Sequence, residues 1–446
     1  MKQSIRTALL AAGIVIGTVA GVNIIYKLYD NWQQNRALVN RTEVTVPALR
    51  GDIVDADGVT LATSRIVFDA HLDCTVCKDS AVWAAKAGGL AASLAGFLPG
   101  RDSTEWAGLL GEGRRKGIMY LSIARGLTEE ELSVLRTFPL FDSHPYRGGG
   151  IVSRHPVRVY PNGRLGCRAI GLFNENHGAS GGLESICDDL LRGEDGKTLV
   201  LTGRYEGRPI RKEKVIVPVS DGLTVHSSLS LRALSEADSL LRETLAADGG
   251  VDGGCLVLME AGGAVRVMAN VSRDRDTGEL REWENHAVQN VLDTRSVASR
   301  LVPSADAGDL LENALGKTTS PLSVLALYNG LIHGGNWAVP QLAGSVSDMG
   351  KAVRPLDVVH SSPVAVPAPA TLRSLMRLPV RKDPGTMTIP TGEEGAAEHV
   401  ARVYLGAFPW KGSECSILCA YYGESAAPDT DAARRTAEAL SQVLNR

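Results

Sequence analysis

A chain of 446 residues with 44% hydrophobic and 22% charged side chains is long enough for two or three domains and too apolar to be disordered throughout. Its 47 Lys and Arg against 50 Asp and Glu leave a formal net charge of -3, so no global field draws it to nucleic acid, and no nucleic-acid partner is expected. Seven cysteines, Cys74, Cys77, Cys167, Cys187, Cys255, Cys415 and Cys419, are too few and too scattered for a disulfide scaffold, and their odd number leaves at least one thiol unpaired within the chain.

From Ala8 to Tyr26 the sequence carries no charge, and a helix rising about 1.5 Å per residue over that run would reach across a hydrocarbon core about 30 Å thick. The competing reading is a cleaved signal peptide, because Thr18-Val-Ala20 suits a small-residue cleavage site, but the apolar run continues through Ile24 and Ile25. An uncleaved anchor is therefore expected. Lys2 and Arg6 before the run are balanced by Lys27, Arg36 and Arg41 after it, so the positive-inside count does not set the orientation. No later apolar run approaches the length of a span, so a single-pass protein with its bulk on one side is expected. Gly13, Gly17 and Gly21 recur every fourth residue, a face on which a partner helix could approach closely, although glycine is common in membrane helices in any case.

Asn31 to Val44 reads as a polar linker or short helix. Arg50 to Ala62 reads as strand, Asp57-Gly58 turn and strand, and Ile66 to Leu72 continues extended. Helical periodicity follows at Trp83–Leu94, Thr104–Leu110 and Thr128–Thr137, the last opened by Thr128-Glu-Glu in capping position. Arg158-Val-Tyr-Pro enters a turn, Gly181-Gly-Leu-Glu184 opens an amphipathic segment ending at Gly193, and Lys214–Val219 is a strand. Leu231, Leu234, Ala237, Leu241 and Leu245 mark an amphipathic helix over 229–247, followed by a buried hairpin, Gly254–Glu260 and Ala264–Ala269. Pro321–Ile332 is a helix, Val364–Pro369 a Pro/Ala-rich linker and Thr371–Leu378 a short helix. His399–Phe408 and Cys415–Tyr422 are strands, and Thr430–Leu444 is a terminal helix.

In this order the segments resemble a class B penicillin-binding protein of the septal, cell-division type. Arg50-Gly-Asp-Ile-Val-Asp-Ala-Asp-Gly-Val-Thr-Leu-Ala62 is similar to the family's pedestal opening, with Ala56 where a second arginine is usual. Arg158-Val-Tyr-Pro, Ala169-Ile-Gly171, Gly182-Leu-Glu184 and Leu191–Gly196 resemble the next pedestal signatures in sequence. Met259–Asn270 resembles the hairpin that opens the transpeptidase domain, and Asn285-His-Ala-Val288 the approach to its catalytic serine. Ser320–Gly335 resembles the helix after the second motif, and Leu405–Pro409 the strand after the third.

The family's chemistry needs Ser-x-x-Lys, Ser-x-Asn and Lys-Thr-Gly, because a hydroxyl is a poor nucleophile at neutral pH without a group to take its proton. No serine of this chain has a lysine three residues on. Counted from Asn285, the nucleophile position falls on Ser296, and the lysine position is Ser299. Arg300 adjoins it, but a guanidinium stays protonated. Only a short stretch, Leu301 to Leu315, stands where the family inserts a long helical region bearing Ser-x-Asn. Lys317-Thr318-Thr319 precedes the helix that the third motif should follow, so it reads as a helix-entry loop, and Gly385 to Val400 contains no lysine.

Three other constellations carry less. Gly178-Ala-Ser180-Gly-Gly182 spells a hydrolase nucleophile elbow but follows polar Asn174–His177 rather than a buried strand. Asp293, His286 and Ser296 have the chemistry of a triad, but nearness in sequence is not geometry. His71 with Cys74 and Cys77 is at most half a zinc site, so no metal is expected.

The expectation is an α+β chain. Residues 1–45 are cytoplasmic tip, transmembrane helix and linker, residues 46–220 a mixed dimerisation or pedestal domain, and residues 221–446 a reduced transpeptidase-like domain with an antiparallel sheet and flanking helices. The resemblance implies a single-pass protein of a bacterial inner membrane, its bulk periplasmic, that acts in peptidoglycan synthesis or cell division. With the motifs missing it is expected to be catalytically inactive, to bind β-lactams weakly or not at all, to need no cofactor, and to act as a binding or scaffolding partner of other cell-wall or division proteins. The alternative is an active D,D-transpeptidase acylated at Ser296 through an unidentified base. Removal of a core-lining helical region is also expected to expose apolar surface.

Overall fold

The computed structural model describes residues 21–29, 40–205, 208–333, 338–348, 353–356, 362–364, 373–375, 377–378, 381–391, 399–424 and 431–446. The chain forms two compact units, Met1–Ala48 with Glu194–Asp221, and Leu49–Gly193 with Gly222–Arg446. Strands and helices are numbered along the chain.

In the smaller unit, residues 21–29 form helix α1, with Val22, Ile24, Ile25, Tyr26, Leu28 and Tyr29 exposed. Most of the expected span, including Gly13 and Gly17, lies outside the described residues; Gly21 is helical and faces open space. No helix among the described residues is long and apolar enough to cross a membrane. Part of the expected linker is instead strand β1 (Asn40–Val46), which pairs in unbroken antiparallel register with β8 (Gly196–Tyr205), from Asn40↔Thr202 to Val46↔Gly196. A backbone ladder asks nothing of side-chain polarity, so Asn-Arg-Thr-Glu serves as well as an apolar run. β9 (Arg208–Val217) completes the sheet in the order β1-β8-β9.

The larger unit begins with β2 (Ile53–Val54) and β3 (Thr60–Leu72). The expected Asp-Gly turn joins them: Asp55 Oδ1 accepts the N–H groups of Asp57 and Val59, both at 2.8 Å, and Gly58 adopts φ +86°. β4 (Leu121–Leu127) and β5 (Gly150–Val159) both pair with β3. Helices α2 (Ser80–Phe97), α3 (Ser103–Lys116) and α4 (Glu129–Leu135) cover them, the latter two opened by complete capping boxes at Asp102/Glu105 and Thr128/Glu131. Trp83, Leu90, Leu94, Trp106 and Leu110 form a core with Leu72 and Ile123.

Along the chain also come the short α5 (Pro145–Gly148) and α6 (Cys167–Ile170), the hairpin β6 (Leu172–Asn174) and β7 (Gly178–Ser180), then α7 (Gly182–Ile186) and α8 (Asp188–Leu191). The polar stretch at 174–177 is thus the tip of a small hairpin. β10 (Thr224–Ser227) adds to the pedestal sheet beside β2.

The second layer is built on α9 (Leu231–Ala247), β11 (Val251–Glu260), β12 (Val265–Arg273) and β13 (Leu280–Arg281). β14 (Leu292–Asp293), α10 (Thr294–Leu301), α11 (Ala305–Leu315), β15 (Thr318–Thr319) and α12 (Pro321–Ile332) follow. β16 (Ala343–Ser347) and β17 (Arg354–Pro355) return to the pedestal sheet, whose order is β17-β16-β10-β2-β3-β4. β18 (Gly385–Pro390), β19 (His399–Trp410) and β20 (Ser413–Glu424) complete the other sheet, and α13 (Ala432–Leu444) closes the chain. That sheet is antiparallel throughout, in the order β13-β12-β11-β20-β19-β18.

Side chains alternate faces along a strand, and β11 divides accordingly. Leu256 and Leu258 meet α9 and α13, whereas Cys255, Val257 and Met259 meet α10, α11 and α12. α12 is buried from Pro321 to Leu331, as a largely apolar helix inside the core must be. Its one amide is satisfied: Asn329 Oδ1 accepts from Ser416 Oγ at 2.8 Å and Nδ2 donates to the Ala261 carbonyl at 3.2 Å. α11 packs Ala307 and Leu311 into the core, and the large apolar side chains exposed in this half of the chain among the described residues are Trp283 and Val353.

Candidate functional site

Asp293 turns the chain from β14 into α10. Its backbone is extended, and its carboxylate accepts the Ser296 N–H at 2.7 Å. Val297, Ala298 and Leu301 anchor the helix in the core, which leaves Ser296 half-buried in the first turn and Ser299 exposed one turn on. Ser299 Oγ donates back to the Ser296 carbonyl at 2.9 Å, the local bond a helical serine ordinarily makes. No side chain among the described residues hydrogen-bonds to Ser296 Oγ.

The cations close in sequence are committed elsewhere or exposed. Arg295 pairs with Asp309 at 2.7 Å and with Glu312, fastening α10 to α11. Arg300 is exposed. Lys317 was expected in a helix-entry loop; the two residues after it are instead β15, paired with β14 as Leu292↔Thr319 and Asp293↔Thr318, and the Lys317 carbonyl accepts Thr294 N–H at 3.0 Å.

β18 lies along α10. Leu292 bridges to Thr391 at the helix start, and Arg381 N–H donates to the Leu301 carbonyl at 3.0 Å at its end. The chain enters this edge strand as Asp383-Pro384-Gly385, with Gly385 at φ +67°, sharing only its glycine with Lys-Thr-Gly. The lysine that is present, Lys382, is exposed, and its carbonyl accepts the Tyr328 hydroxyl at 2.7 Å. The sequence signal for this entry was the Pro-Gly pair ahead of an alternating strand.

The imagined triad is not assembled. Asp293 is occupied as a cap, and His286 Nε2 lies 2.9 Å from Ser272 Oγ with its ring stacked on Tyr422. Burial holds the His286 pKa below its usual value, so the imidazole is neutral at pH 7. Gly253 makes room for it, since a β-carbon there would lie 2.6 Å from His286 Nε2. Ser180 ends β7 on the exposed side. A cavity of about 660 Å³ opens on the α9/α13 side of the sheet, the face opposite α10, lined in part by Glu243, Thr244 and Tyr421.

Among the described residues no three His, Cys, Asp or Glu side chains gather as for a metal. All seven cysteines are free and buried. Burial pushes Cys74 and Cys187 up to about 11 and Cys167, Cys255 and Cys415 up to about 12. Because the thiolate is the reactive form, iodoacetamide at pH 8 is expected to modify these five cysteines of the folded chain at least about a hundredfold more slowly than in the urea-unfolded chain, read by peptide mapping.

The pedestal signatures converge on one ionic knot. Arg50 Nε donates to Glu184 Oε2 at 2.7 Å, Nη1 to Asp188 Oδ1 at 2.6 Å and Nη2 to the Glu184 carbonyl at 2.8 Å. Arg158 Nε donates to Glu184 Oε1 at 2.7 Å and Nη1 to the Gly51 carbonyl at 2.7 Å. The Tyr160 hydroxyl donates to Glu184 Oε1 at 3.2 Å and accepts Phe173 N–H at 2.8 Å, while the Arg50 guanidinium stacks 4.4 Å from the Phe173 ring centre. Burial first, then the Glu184 charge, pushes the Tyr160 phenol up to about 12. Glycines admit this packing: at Gly182, φ +54°, a β-carbon would lie 2.4 Å from the Gly171 nitrogen.

Residues 45–227 match the penicillin-binding protein dimerisation domain family. The fold is similar over 91% of the chain to 96% of a peptidoglycan synthetase from Bifidobacterium adolescentis, at 14% identity and a TM-score of 0.60. It is similar over 91% to 81% of penicillin-binding protein 2X from Streptococcus thermophilus, at 15% identity and 0.61. It is also similar over 98% to 98% of a chain described under coordination of polymerization and crosslinking by a peptidoglycan synthase complex, at 15% identity and 0.56. At these identities the likeness is one of fold. Residues 45–227 thus match the dimerisation domain of penicillin-binding proteins, and the fold of the chain, with its antiparallel second layer, is similar to that of these peptidoglycan-synthesis proteins.

Proposed function

We propose that this is a membrane-anchored envelope protein of peptidoglycan synthesis or cell division, catalytically silent, that works by binding other cell-wall proteins. The observation that carries the reading is the start of α10. Ser296 occupies the nucleophile position by spacing, yet the residue one turn on is a serine bonded to backbone, and among the described residues no amine or imidazole hydrogen-bonds to the Ser296 hydroxyl. A general base must stand within about 3 Å of the proton it takes. The strand beside the helix enters on Asp383-Pro384 in place of a lysine and a hydroxyl. Meanwhile the pedestal knot joins Arg50, Arg158 and Glu184, with only Arg158 Nη2 of it buried without a partner, and the second layer keeps a packed core, which favours a frame kept for binding. The uncharged run from Ala8 to Tyr26 supports the anchor, with Gly13, Gly17 and Gly21 as a face for a partner helix.

The test is genetic. In the native host a Ser296→Ala allele is expected to sustain wall growth as the unaltered gene does, where deletion impairs it. A Ser296→Ala allele that behaves like the deletion would favour an acylating transpeptidase.

A further inference from the structure

Glu282 follows β13 and is 6% exposed. Its Oε2 accepts the Cys167 N–H at 2.8 Å, and its main-chain carbonyl accepts Arg168 Nε at 3.1 Å and Cys167 Sγ at 3.7 Å. Asn285 Nδ2 donates to the Arg168 carbonyl at 3.3 Å. Four contacts between segments far apart in sequence thus fasten α6 to residues 282–285. The other carboxyl oxygen, Oε1, is buried with no hydrogen-bond partner.

A neutral carboxyl also leaves Oε1 buried without a partner, but at the cost of a neutral polar group, whereas a carboxylate places charge on an oxygen that nothing serves. The surrounding charges do not relieve it. On α9, Asp238 has the same sign and is held by Arg242 Nε at 2.6 Å, while Arg242 Nη1 goes to the Leu280 carbonyl at 2.6 Å. On α6, Arg168 Nε spends itself on the Glu282 main chain, and Arg164 lies in the turn before it. On Glu282's own segment Arg281 pairs with Glu279, and Glu284 accepts from Gln289 at 2.8 Å.

We propose that Glu282 is a pH-operated latch, closed on α6 when protonated and releasing it when ionised. Burial, with Asp238 adding to it, pushes this carboxyl from 4.5 up to about 7, against the pull of the Cys167 hydrogen bonds. A carboxyl raised in the folded state stabilises it in full below its ordinary value and loses that contribution as pH climbs through the raised one. The latch is therefore tight in mild acid and loose above neutrality. α6 leads directly into Gly171, against which Gly182 packs two residues before Glu184, so its release bears on the ionic knot. The inference stands independently of whether Ser296 can be acylated.

Hydrogen exchange of the full chain in detergent, corrected for intrinsic rates and read from pH 5 to 8.5, tests it. The opening constant of the peptide covering 164–171 is expected to rise by up to about tenfold per pH unit and level off above pH 7, while a β19–β20 peptide does not follow it. In Glu282→Gln, which keeps an acceptor for Cys167 and cannot ionise, the α6 profile is expected to be flat. A flat profile in the unaltered protein, or an unchanged slope in the variant, would overturn the latch. Should the variant not fold, equal pH dependence at α6 and at β19–β20 in the unaltered chain would overturn it as well.

Discussion

Replacing Glu184 by alanine is expected to lower the stability of the larger unit by about 3–5 kcal/mol, because removing one member of a buried ionic group strands its partners. The Glu184 side chain is fully buried, and the side chains of Arg50 and Arg158 are 6% and 2% exposed. Without the Glu184 carboxylate, the Arg50 guanidinium keeps Asp188, itself 38% exposed, one carbonyl and its stacking on Phe173, while Arg158 keeps backbone carbonyls and the Ser64 hydroxyl. The urea midpoint reads the effect. A loss below about 1 kcal/mol, the range of an exposed pair, would show that the knot is not holding the pedestal. Arg50→Lys is expected to fall between, since an ammonium cannot reproduce the guanidinium's three directed bonds or its stacking on Phe173.

Gly182→Ala is the second large effect. The residue sits at φ +54°, where a β-carbon would lie 2.4 Å from the Gly171 nitrogen and 2.5 Å from the Ala169 carbonyl oxygen. A left-handed non-glycine residue costs about 1–3 kcal/mol by itself, and overlap with two backbone atoms that cannot rotate away adds to it. A total loss above about 2 kcal/mol is expected, with faster exchange of the α6 and α7 amides. An Ala variant as stable as the parent would mean that this crossing yields easily.

The sequence already held most of the second layer. Alternation in Cys255–Met259 and the stripe Leu234, Ala237, Leu241, Leu245 depend on neighbours within a few turns, and the helix and hairpin fell where that pattern put them. β1 was not legible because what makes Asn40–Val46 a strand is β8, far along the chain. The ionic knot was visible only as three separate signatures; nothing local says that Arg50, Arg158 and Glu184 meet. The position of Ser296 followed from its spacing after Asn285, and the structure sets it in the first turn of a helix. What surrounds its hydroxyl is a matter of tertiary packing, as is the isolation of the Glu282 carboxyl. The expected single-pass anchor rests on residues that lie mostly outside those described.

Exposure of the purified chain to a large excess of benzylpenicillin, followed by intact-mass measurement, bears most directly on the proposal that the Ser296 hydroxyl is not acylated. The mass is expected to stay unchanged over hours, with and without Ser296→Ala. A single stoichiometric adduct that maps to Ser296 and disappears in Ser296→Ala would contradict it.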